Sequence, residues 1–402
     1  MSPDLRLTFV VESGTDVRLV DGLKKHFILD LICRRIPRGF PVNWAPNPET
    51  KIVIGPAGRL SFATFLGWSL ATRAYSPDLV LVQGYAAAAL VVNVLAKVRG
   101  SFPVMLVCSP VEAYYQCRRA AGDSTTPFRL RELLGLRILA RLNAALGQQY
   151  VVLSRSLADV VSDHGASGPI DIVPLYGVDV HRFTPSHESK MALRARLRLP
   201  MTGSVVFFSS RIAPEKDADT VLHAIGELNK SGRKVWLVNR SGGHESFLSR
   251  AHTLGVGAHV VTGGPVHPRL ELPPFYQAAD VCVQASREEG LGFSPLEALA
   301  CGTPVIATAV GGLRETIIDG QTGWSYPRGD PARLASALAE VLDSPQEAAR
   351  RTRAGRQMVL ECFEEGKVFS DFERVMRAVV SSRTSGRRPE AGNHTSRSEP
   401  DP

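Results

Sequence analysis

The chain has 402 residues, a formal net charge of +8 and 44% hydrophobic residues. That length exceeds what one hydrophobic core usually organises, so we expect two domains. The six cysteines show no CxxC or Cys/His spacing, which argues against a disulfide framework and against a structural metal site. The first residues also lack the charged, apolar and small-residue pattern of a secretory leader. We therefore expect a cytoplasmic protein.

The longest apolar stretch and the charge distribution bear on possible partners. Residues 79–98 are interrupted by Gln83, Gly84 and Asn93, so they divide into strand, turn and helix rather than forming a membrane span. Arginines cluster at Arg118, Arg119, Arg129, Arg131, Arg137 and Arg141. No nucleic-acid-binding motif accompanies them, so we expect no nucleic acid and favour peripheral contact with an anionic membrane.

The first half of the chain repeats a short apolar run, a turn and a longer segment with helical spacing. We predict strands at residues 5–11, 27–33, 78–83, 102–108, 149–154 and 170–175. We predict helices near residues 59–74, 86–98, 129–145 and 155–163. This order is typical of a parallel sheet wrapped by helices, as in a Rossmann-like domain.

A second series of the same kind begins after a polar, basic segment at residues 184–202. Its predicted strands are residues 204–210, 234–238, 258–263, 279–285 and 303–309. The fold class is therefore α/β, with an N-terminal domain over residues 1–185 and a C-terminal domain over residues 186–365. Residues 383–402 are rich in Ser, Arg, Gly and Pro, and we expect them to be disordered.

The most informative segment is SREEGLGFSPLEALACGTPVIATAVGG, residues 286–312, directly after a predicted strand. Ser294 suits a helix N-cap, Pro295 suits the first helical position, and Glu297 suits a capping box. The same helix start would present backbone N–H groups to a phosphate at the carboxyl edge of the sheet. Glu289 lies in the preceding loop, so two carboxylates could hold a polyhydroxylated ligand from two sides.

The E(x7)E pattern formed by Glu289 and Glu297 closely resembles the signature of the retaining GT-B glycosyltransferases of family 4, relatives of glycogen and sucrose synthases. The resemblance implies two Rossmann-like domains facing each other across a cleft. It also implies transfer of a hexose-type sugar from a nucleotide diphosphate sugar, with retention of configuration. Glu297 would bind the donor ribose, Glu289 would contact the transferred sugar, and the backbone of Phe293 and Ser294 would meet phosphate or sugar.

A second match is FFSSRIAPEKDADTVLHAI, which places Arg211 and Lys216 where family members bind the donor diphosphate. Fixed cations there stabilise the negative charge that grows on the leaving group, so we expect neither a metal nor a cofactor. The chain departs from the family pattern at Ser210 and Asp217, where Gly is usual. These departures bear on the geometry of the loop rather than on the two cations.

Weaker matches extend the resemblance. Gly264 and Val266, in VVTGGPV, stand where the family contacts the donor base through backbone atoms. Residues from about 366 to 382 resemble the last helix, which in GT-B proteins crosses back to the first domain. Further positions that agree with the family pattern are Gly311, Gly312, Glu315, Gly323 and Asp330.

The N-terminal half matches the family less well. The family often has a His after the strand at residues 102–108, where this chain has CSPVEAYY. Ser109, Glu112 and Tyr114 are candidates for sugar or acceptor contacts, although capping and packing account for them equally well. Gly14 and Arg18 follow the first strand and would approach the diphosphate from the other domain, but their turn pattern alone is common.

Two other functions stay open at this point. Non-hydrolysing nucleotide-sugar epimerases share the GT-B fold, and a binding protein that kept the donor site without turnover would carry the same motifs. The missing His and the Ser at position 210 motivate the second alternative. The identity of the donor base, the sugar and the acceptor is not encoded in these motifs.

Overall fold

The computed structural model describes residues 5–12, 14–36, 50–72, 77–98, 100–121, 130–241, 244–267 and 269–384. The chain forms two compact units: Met1–Cys108 with Leu134–Tyr176 and Phe369–Pro402, and Ser109–Leu133 with Gly177–Val368. The main division at Tyr176 comes earlier than the predicted boundary near residue 185. Of the tail predicted to be disordered, residues 385–402 lie outside the described residues, whereas residues 383 and 384 end a helix.

The first part of the chain alternates strands and helices. In chain order the elements are β1 (Arg6–Val11), α1 (Val17–His26), β2 (Ile28–Arg34), β3 (Lys51–Gly55), α2 (Arg59–Ala71), β4 (Leu79–Gln83), α3 (Ala87–Val98), β5 (Phe102–Val107), α4 (Val111–Ala120), α5 (Leu130–Leu146), β6 (Tyr150–Val152), α6 (Arg155–Asp163) and β7 (Ile170–Ile172). Each of the six predicted strands corresponds to an observed one. The elements β3, α1 and α4 were not predicted.

The first unit is built on a seven-stranded sheet with the order β3-β2-β1-β4-β5-β6-β7, and every pair in it is parallel. In the central strands Phe9 lies between Leu31 and Leu81. All three side chains are fully buried. Continuous apolar runs are expected for such strands, because helices cover both faces of a parallel sheet.

The second unit follows the same plan. The remaining elements of the chain are α7 (Lys190–Leu197), β8 (Ser204–Phe207), α8 (Ala218–Lys230), β9 (Val235–Asn239), α9 (His244–Thr253), β10 (Val260–Thr262), α10 (Pro273–Ala278), β11 (Val281–Gln284), α11 (Phe293–Ala300), β12 (Val305–Thr308), α12 (Leu313–Thr316), β13 (Trp324–Tyr326), α13 (Pro331–Asp343), α14 (Pro345–Cys362) and α15 (Glu365–Thr384); the second unit holds all of them except the part of α15 from Phe369 onward. Its six parallel strands have the order β10-β9-β8-β11-β12-β13. Its core includes Val206, Val221 and Ile306.

Residues 109–133 group with the second unit, although they were predicted to belong to the N-terminal domain. The physical reason is the packing of α4 on a short 3-10 helix at Pro214–Lys216. Arg118 of α4 pairs with the carboxylate of Glu215 in that short helix.

The last described helix, α15, groups with the first unit from Phe369 onward. The rings of Phe372 and Phe27 meet edge to face with 5.7 Å between their centroids. On the same helix Glu373 pairs with His26, with 2.7 Å between Oε2 and Nδ1. The C-terminal residues therefore complete a core that begins with the first helix of the chain.

This packing yields a stability prediction. Replacing Phe372 by Ala should lower the free energy of unfolding by about 3 to 5 kcal/mol, because a fully buried aromatic ring is removed and leaves a cavity. Arg374→Ala, on the exposed side of the same helix, should cost about 0.5 kcal/mol or less. Urea denaturation followed by circular dichroism compares the two variants, and equal midpoints would contradict the assigned packing.

Candidate functional site

The strand order of the second unit changes direction between β8 and β11, because β9 and β10 lie on one side and β12 and β13 on the other. In open parallel sheets, ligands bind beyond the carboxyl ends of the strands at such a switch point. The loops that leave this point are residues 208–217 after β8 and residues 285–292 after β11. They contain Arg211, Lys216 and Glu289, three of the predicted site residues.

The loop after β8 ends in the 3-10 helix Pro214–Lys216 and then turns at Asp217. Asp217 has a φ of +48°, the left-handed conformation that Gly adopts readily and Asp tolerates better than most residues. Its carboxylate accepts hydrogen bonds from Thr220 Oγ1 at 2.9 Å and from Arg287 Nη2 at 3.1 Å. Asp217 therefore adopts a backbone conformation that Gly would also adopt readily at this position.

Glu215 is a buried acid that holds two arginines. Its Oε1 accepts hydrogen bonds from Arg118 Nη2 at 2.8 Å and Arg211 Nη2 at 2.5 Å, and its Oε2 accepts one from Arg118 Nε at 3.1 Å. Burial alone would raise the pKa of Glu215, but the two guanidinium groups outweigh it and hold the pKa below its usual value. Arg211, with 56% of its side chain exposed, is thereby fixed in direction while it stays accessible.

Lys216 and Glu289 form a mostly buried ion pair with 2.5 Å between Nζ and Oε2, and their side chains are 13% and 11% exposed. Burial raises the pKa of Glu289, but Lys216 and the hydroxyl of Ser286 outweigh it, so the net shift of the pKa is downward. Tyr114 of α4 donates its hydroxyl to Oε1 of Glu289 at 3.3 Å. Glu289 is therefore an ionised carboxylate at neutral pH.

The Glu289 loop lies directly against two glycines after β12. A Cβ on Gly311 would collide with the carbonyl oxygen of Glu289, and a Cβ on Gly312 would collide with that of Gly290. The N–H of Gly312 donates to the carbonyl of Glu289 at 3.3 Å. The paired glycines therefore allow the backbone that carries Glu289 to pack at its observed position.

The start of α11 differs from the prediction. The N-cap is Gly292, with a φ of +90°, and the helix begins at Phe293. The prediction of Ser294 as N-cap and Pro295 as first helical residue was therefore wrong, because the left-handed backbone of Gly292 starts the helix earlier. The side chain of Glu297 is buried in the second unit, where its Oε2 accepts a hydrogen bond from the hydroxyl of Tyr276 at 2.9 Å.

The remaining predicted donor contacts lie in both units. Gly264 and Val266 are in the loop after β10, and open space lies where a side chain of residue 264 would project. Gly14 is exposed after β1 in the first unit. There Arg18 donates from Nε at 2.9 Å and from Nη2 at 2.7 Å to Oδ2 of Asp16. The predicted roles of these residues, including the approach of Gly14 and Arg18 to a diphosphate, stay predictions.

Of the three weak acceptor candidates, Tyr114 contacts Glu289. The carbonyl of Ser109 accepts a backbone hydrogen bond from the N–H of Val111 at 2.9 Å, and the carboxylate of Glu112 accepts a side-chain hydrogen bond from Gln116 Nε2 at 3.3 Å.

The site residues that were not predicted from the sequence include Arg118, Glu215 and Gln284. The signals that could have found the first two were the basic stretch that contains Arg118 and the position of Glu215 beside Lys216. Gln284 closes an apolar run, and no local pattern distinguishes it.

Comparison with solved structures bears on the fold. Sucrose-phosphate synthase from Thermosynechococcus elongatus is similar with a TM-score of 0.77 and 20% identity, over 94% of this chain and 100% of that one. Anabaena HepE in complex with UDP-glucose is similar with a TM-score of 0.71 and 15% identity, over 94% of this chain and 100% of that one. Together with the two parallel sheets, these matches identify the GT-B fold.

Part of the second unit matches a known family. Residues 189–358 match the family described as "Glycosyl transferases group 1", so the chain carries a segment of that family, and the resemblance predicted from the motifs is confirmed. Arg211, Lys216, Glu289 and Glu297 all fall within the matched residues.

Curated relatives match part of their length. A D-inositol 3-phosphate glycosyltransferase of Segniliparus rotundus is 33% identical over 269 residues, 65% of this chain and 58% of the relative. A GDP-mannose-dependent alpha-(1-6)-phosphatidylinositol monomannoside mannosyltransferase of Mycolicibacterium smegmatis is 35% identical over 209 residues, 50% of this chain and 54% of the relative. The chain thus spans little more than half the length of these relatives.

Neither a membrane-spanning helix nor a metal cluster occurs among the described residues. Within them, no helix is both long and apolar enough to cross a bilayer. Across the same part of the chain, no group of three or more His, Cys, Asp or Glu side chains is arranged to hold a metal ion.

Glu215 gives a prediction about acid stability. Because its pKa is lowered in the folded state, its ion pairs stabilise the protein above the ordinary pKa, and this contribution is lost as pH falls through the lowered value. Glu215→Gln should lower the free energy of unfolding by about 2 kcal/mol at pH 7. This is less than the loss expected for breaking a fully buried ion pair, because Arg211 is exposed. The variant should also lose less stability than the wild type as pH falls from the ordinary pKa of a glutamate through the lowered one.

Urea denaturation at several pH values tests this prediction. Glu188→Gln, which breaks an exposed pair with Arg196, is the matched control and should change stability by about 0.5 kcal/mol or less. A Glu215→Gln variant with the same acid sensitivity as the wild type would contradict the assigned pairing.

Proposed function

We propose that the protein is a retaining glycosyltransferase that moves a hexose-type sugar from a nucleotide diphosphate sugar to a hydroxyl of a glycan, lipid or small molecule. The observation that carries the proposal is the convergence of Arg211, Lys216 and Glu289 at the switch point of the second sheet. The GT-B fold and the group 1 segment support the same activity.

In this proposal the donor diphosphate meets Arg211 and Lys216. The bond between the anomeric carbon and the diphosphate oxygen breaks, and its electron pair stays on the diphosphate. The acceptor oxygen bonds to the same face of the anomeric carbon, and the acceptor proton moves to the departing phosphate oxygen. The two cations stabilise the charge that grows on the leaving group, so transfer would need no divalent metal.

Glu289 would act on the sugar. A carboxylate that stays ionised can accept hydrogen bonds from sugar hydroxyls and can stabilise the positive charge that develops at the anomeric carbon. Glu297, with the backbone of Phe293 and Ser294, would hold the ribose and phosphate side of the donor. Gly264 and Val266 would contact the base, as the family pattern implies.

The cation pair can be tested directly. Arg211→Ala combined with Lys216→Met should lower kcat by about 100-fold or more, because charge on the leaving group is no longer stabilised. Arg250→Ala, which breaks an exposed pair with Asp219, should keep wild-type turnover. A thermal-shift panel of nucleotide sugars selects the donor, and product is measured with and without EDTA. Undiminished turnover in the double variant would refute the diphosphate role.

The same assay separates the two alternative functions. A donor incubated without acceptor should be hydrolysed slowly at most by a transferase, whereas an epimerase would convert it to another sugar. A binding protein would show a thermal shift with the donor and no product with any acceptor. Sugar epimerised at the rate of transfer would overturn the transferase proposal.

We also propose that α5 contacts an anionic membrane surface. Its apolar residues Leu134, Ile138 and Leu142 follow a four-residue spacing and are 58%, 52% and 44% exposed. The exposed Arg137 and Arg141 occur one residue before Ile138 and Leu142. An exposed apolar stripe flanked by arginines fits the boundary between anionic headgroups and acyl chains. The mannosyltransferase relative is named for a phosphatidylinositol monomannoside, and a lipid of that kind is compatible with a lipid-linked acceptor.

Vesicle flotation tests the membrane proposal. The protein should bind vesicles that contain phosphatidylglycerol and not vesicles of phosphatidylcholine alone. Arg141→Gln should weaken binding about 5-fold, since each basic residue at the surface contributes about 1 kcal/mol, and Ile138→Glu should weaken it further. Met191→Glu changes an exposed apolar residue of α7 and should bind like the wild type. Equal binding to both vesicle types would contradict the proposal.

A further inference from the structure

Behind Glu289 lies a buried chain of polar side chains that the catalytic proposal does not use. Ser210 donates its hydroxyl to Oε1 of Gln284 at 2.9 Å. The amide nitrogen of Gln284 lies 2.7 Å from Ser286 Oγ and 3.0 Å from Glu289 Oε2. Ser286 donates its hydroxyl to the same Glu289 oxygen at 2.8 Å. These three supporting residues are at most 5% exposed.

The contacts fix the orientation of the Gln284 amide. A side-chain amide has one acceptor end and one donor end, and an ionised carboxylate can only accept, so the donor end of Gln284 points at Glu289. The acceptor end then receives the hydroxyl of Ser210, a group that can donate as well as accept. Ser210, which stands where the family usually has Gly, therefore acts on Glu289 through one intermediate residue.

The two oxygens of Glu289 have different surroundings. Oε2 accepts hydrogen bonds from Lys216, Gln284 and Ser286. Oε1 accepts one from the hydroxyl of Tyr114, at the longer distance of 3.3 Å. Oε2 is thus the anchored oxygen, and Oε1 is the one that a sugar hydroxyl can reach by displacing a weak hydrogen bond.

We propose that Gln284 and Ser210 are positioning residues that hold Glu289 in place and ionised when Lys216 turns to the donor diphosphate. The inference rests on the proposed transferase function, because it assigns Lys216 to the diphosphate. Binding of the donor weakens the Lys216–Glu289 pair, and a carboxylate that loses its counter-charge in a buried site would take up a proton or change rotamer. The hydrogen bonds that Gln284 and Ser286 donate to Glu289 oppose both the protonation and the change of rotamer.

Amide removal is the first test. Gln284→Met keeps the volume of the side chain and removes both hydrogen-bonding ends. It should lower kcat about 10- to 100-fold, the effect of losing one hydrogen bond to a charged group, with the KM for the donor changed less than about 3-fold. The acid limb of the kcat profile should move to higher pH, because the ionised form of Glu289 has lost a donor. Thr352→Val, which removes another buried hydroxyl in the second unit, should leave kcat and this profile unchanged.

Coupling between the two positions is the second test. Ser210→Ala should lower kcat about 3- to 10-fold in the wild-type background and have no effect in the Gln284→Met background, because its action passes through the amide. Ser210→Thr keeps the hydroxyl and should restore most of the activity. Additive effects of Ser210→Ala and Gln284→Met would overturn the proposed chain.

A measurement without turnover separates failure of this inference from failure of the proposed function. Selective 13C labelling of glutamate side chains, with Glu289→Gln to assign the signal, reports ionisation of Glu289 by NMR. In the presence of UDP as the probe, Gln284→Met should titrate at higher pH than the wild type. If the two titrate alike, the positioning role is refuted even if the wild type transfers sugar. If they differ and no donor is turned over, the transferase proposal fails while the positioning role stands.

Discussion

The close contact between the Lys216 ammonium and the Glu289 carboxylate is the interaction on which the site depends. Each charge lies largely out of water, and each would be costly there without the other. The pair joins the loop after β8 to the loop after β11, so it fixes the distance between the cationic and anionic sides of the switch point.

The pair is part of a larger balance of charges. Glu215 forms ion pairs with two arginines, Arg118 and Arg211. Asp217 pairs with Arg287, and Glu289 pairs with Lys216. These cations are therefore matched by buried or half-buried acids. A diphosphate would compete with the acids for the cations, and binding would redistribute existing ion pairs instead of neutralising isolated charges. This arrangement keeps the site ordered before the donor arrives.

The sequence predicted the α/β class, most of the strands and the identity of the principal charged residues. Strands such as β4 and β11 are nearly continuous apolar runs, the pattern typical of buried parallel strands, so their positions could be predicted from the sequence. The edge strand β3 was missed although Ile52, Val53 and Ile54 are apolar, because that apolar run is only three residues long. The start of α11 was predicted too late because Ser294 and Pro295 resemble a helix start. The left-handed backbone of Gly292, which begins the helix earlier, is not visible in the sequence.

The supporting residues of the site could not be predicted from local patterns. Gln284 ends a buried strand and reads as part of an apolar run, and Ser210 reads as an ordinary loop residue. Their partnership joins positions 74 residues apart in the chain, so only the folded sheet brings them together. Arg118 and Glu215 are 97 residues apart in the chain, so their ion pair could not be predicted from local sequence either.

The division of the chain between units also bears on biosynthesis. The first unit includes both the opening strand and Phe369 onward, so its apolar surface around Phe27 has no cover until the final helix has been synthesised. The second unit can form most of its sheet before that point, because its strands end at Tyr326. The N-terminal unit therefore cannot be completed on the ribosome ahead of the C-terminal one, and a nascent chain stalled before residue 369 would expose the part of its core that chaperones bind.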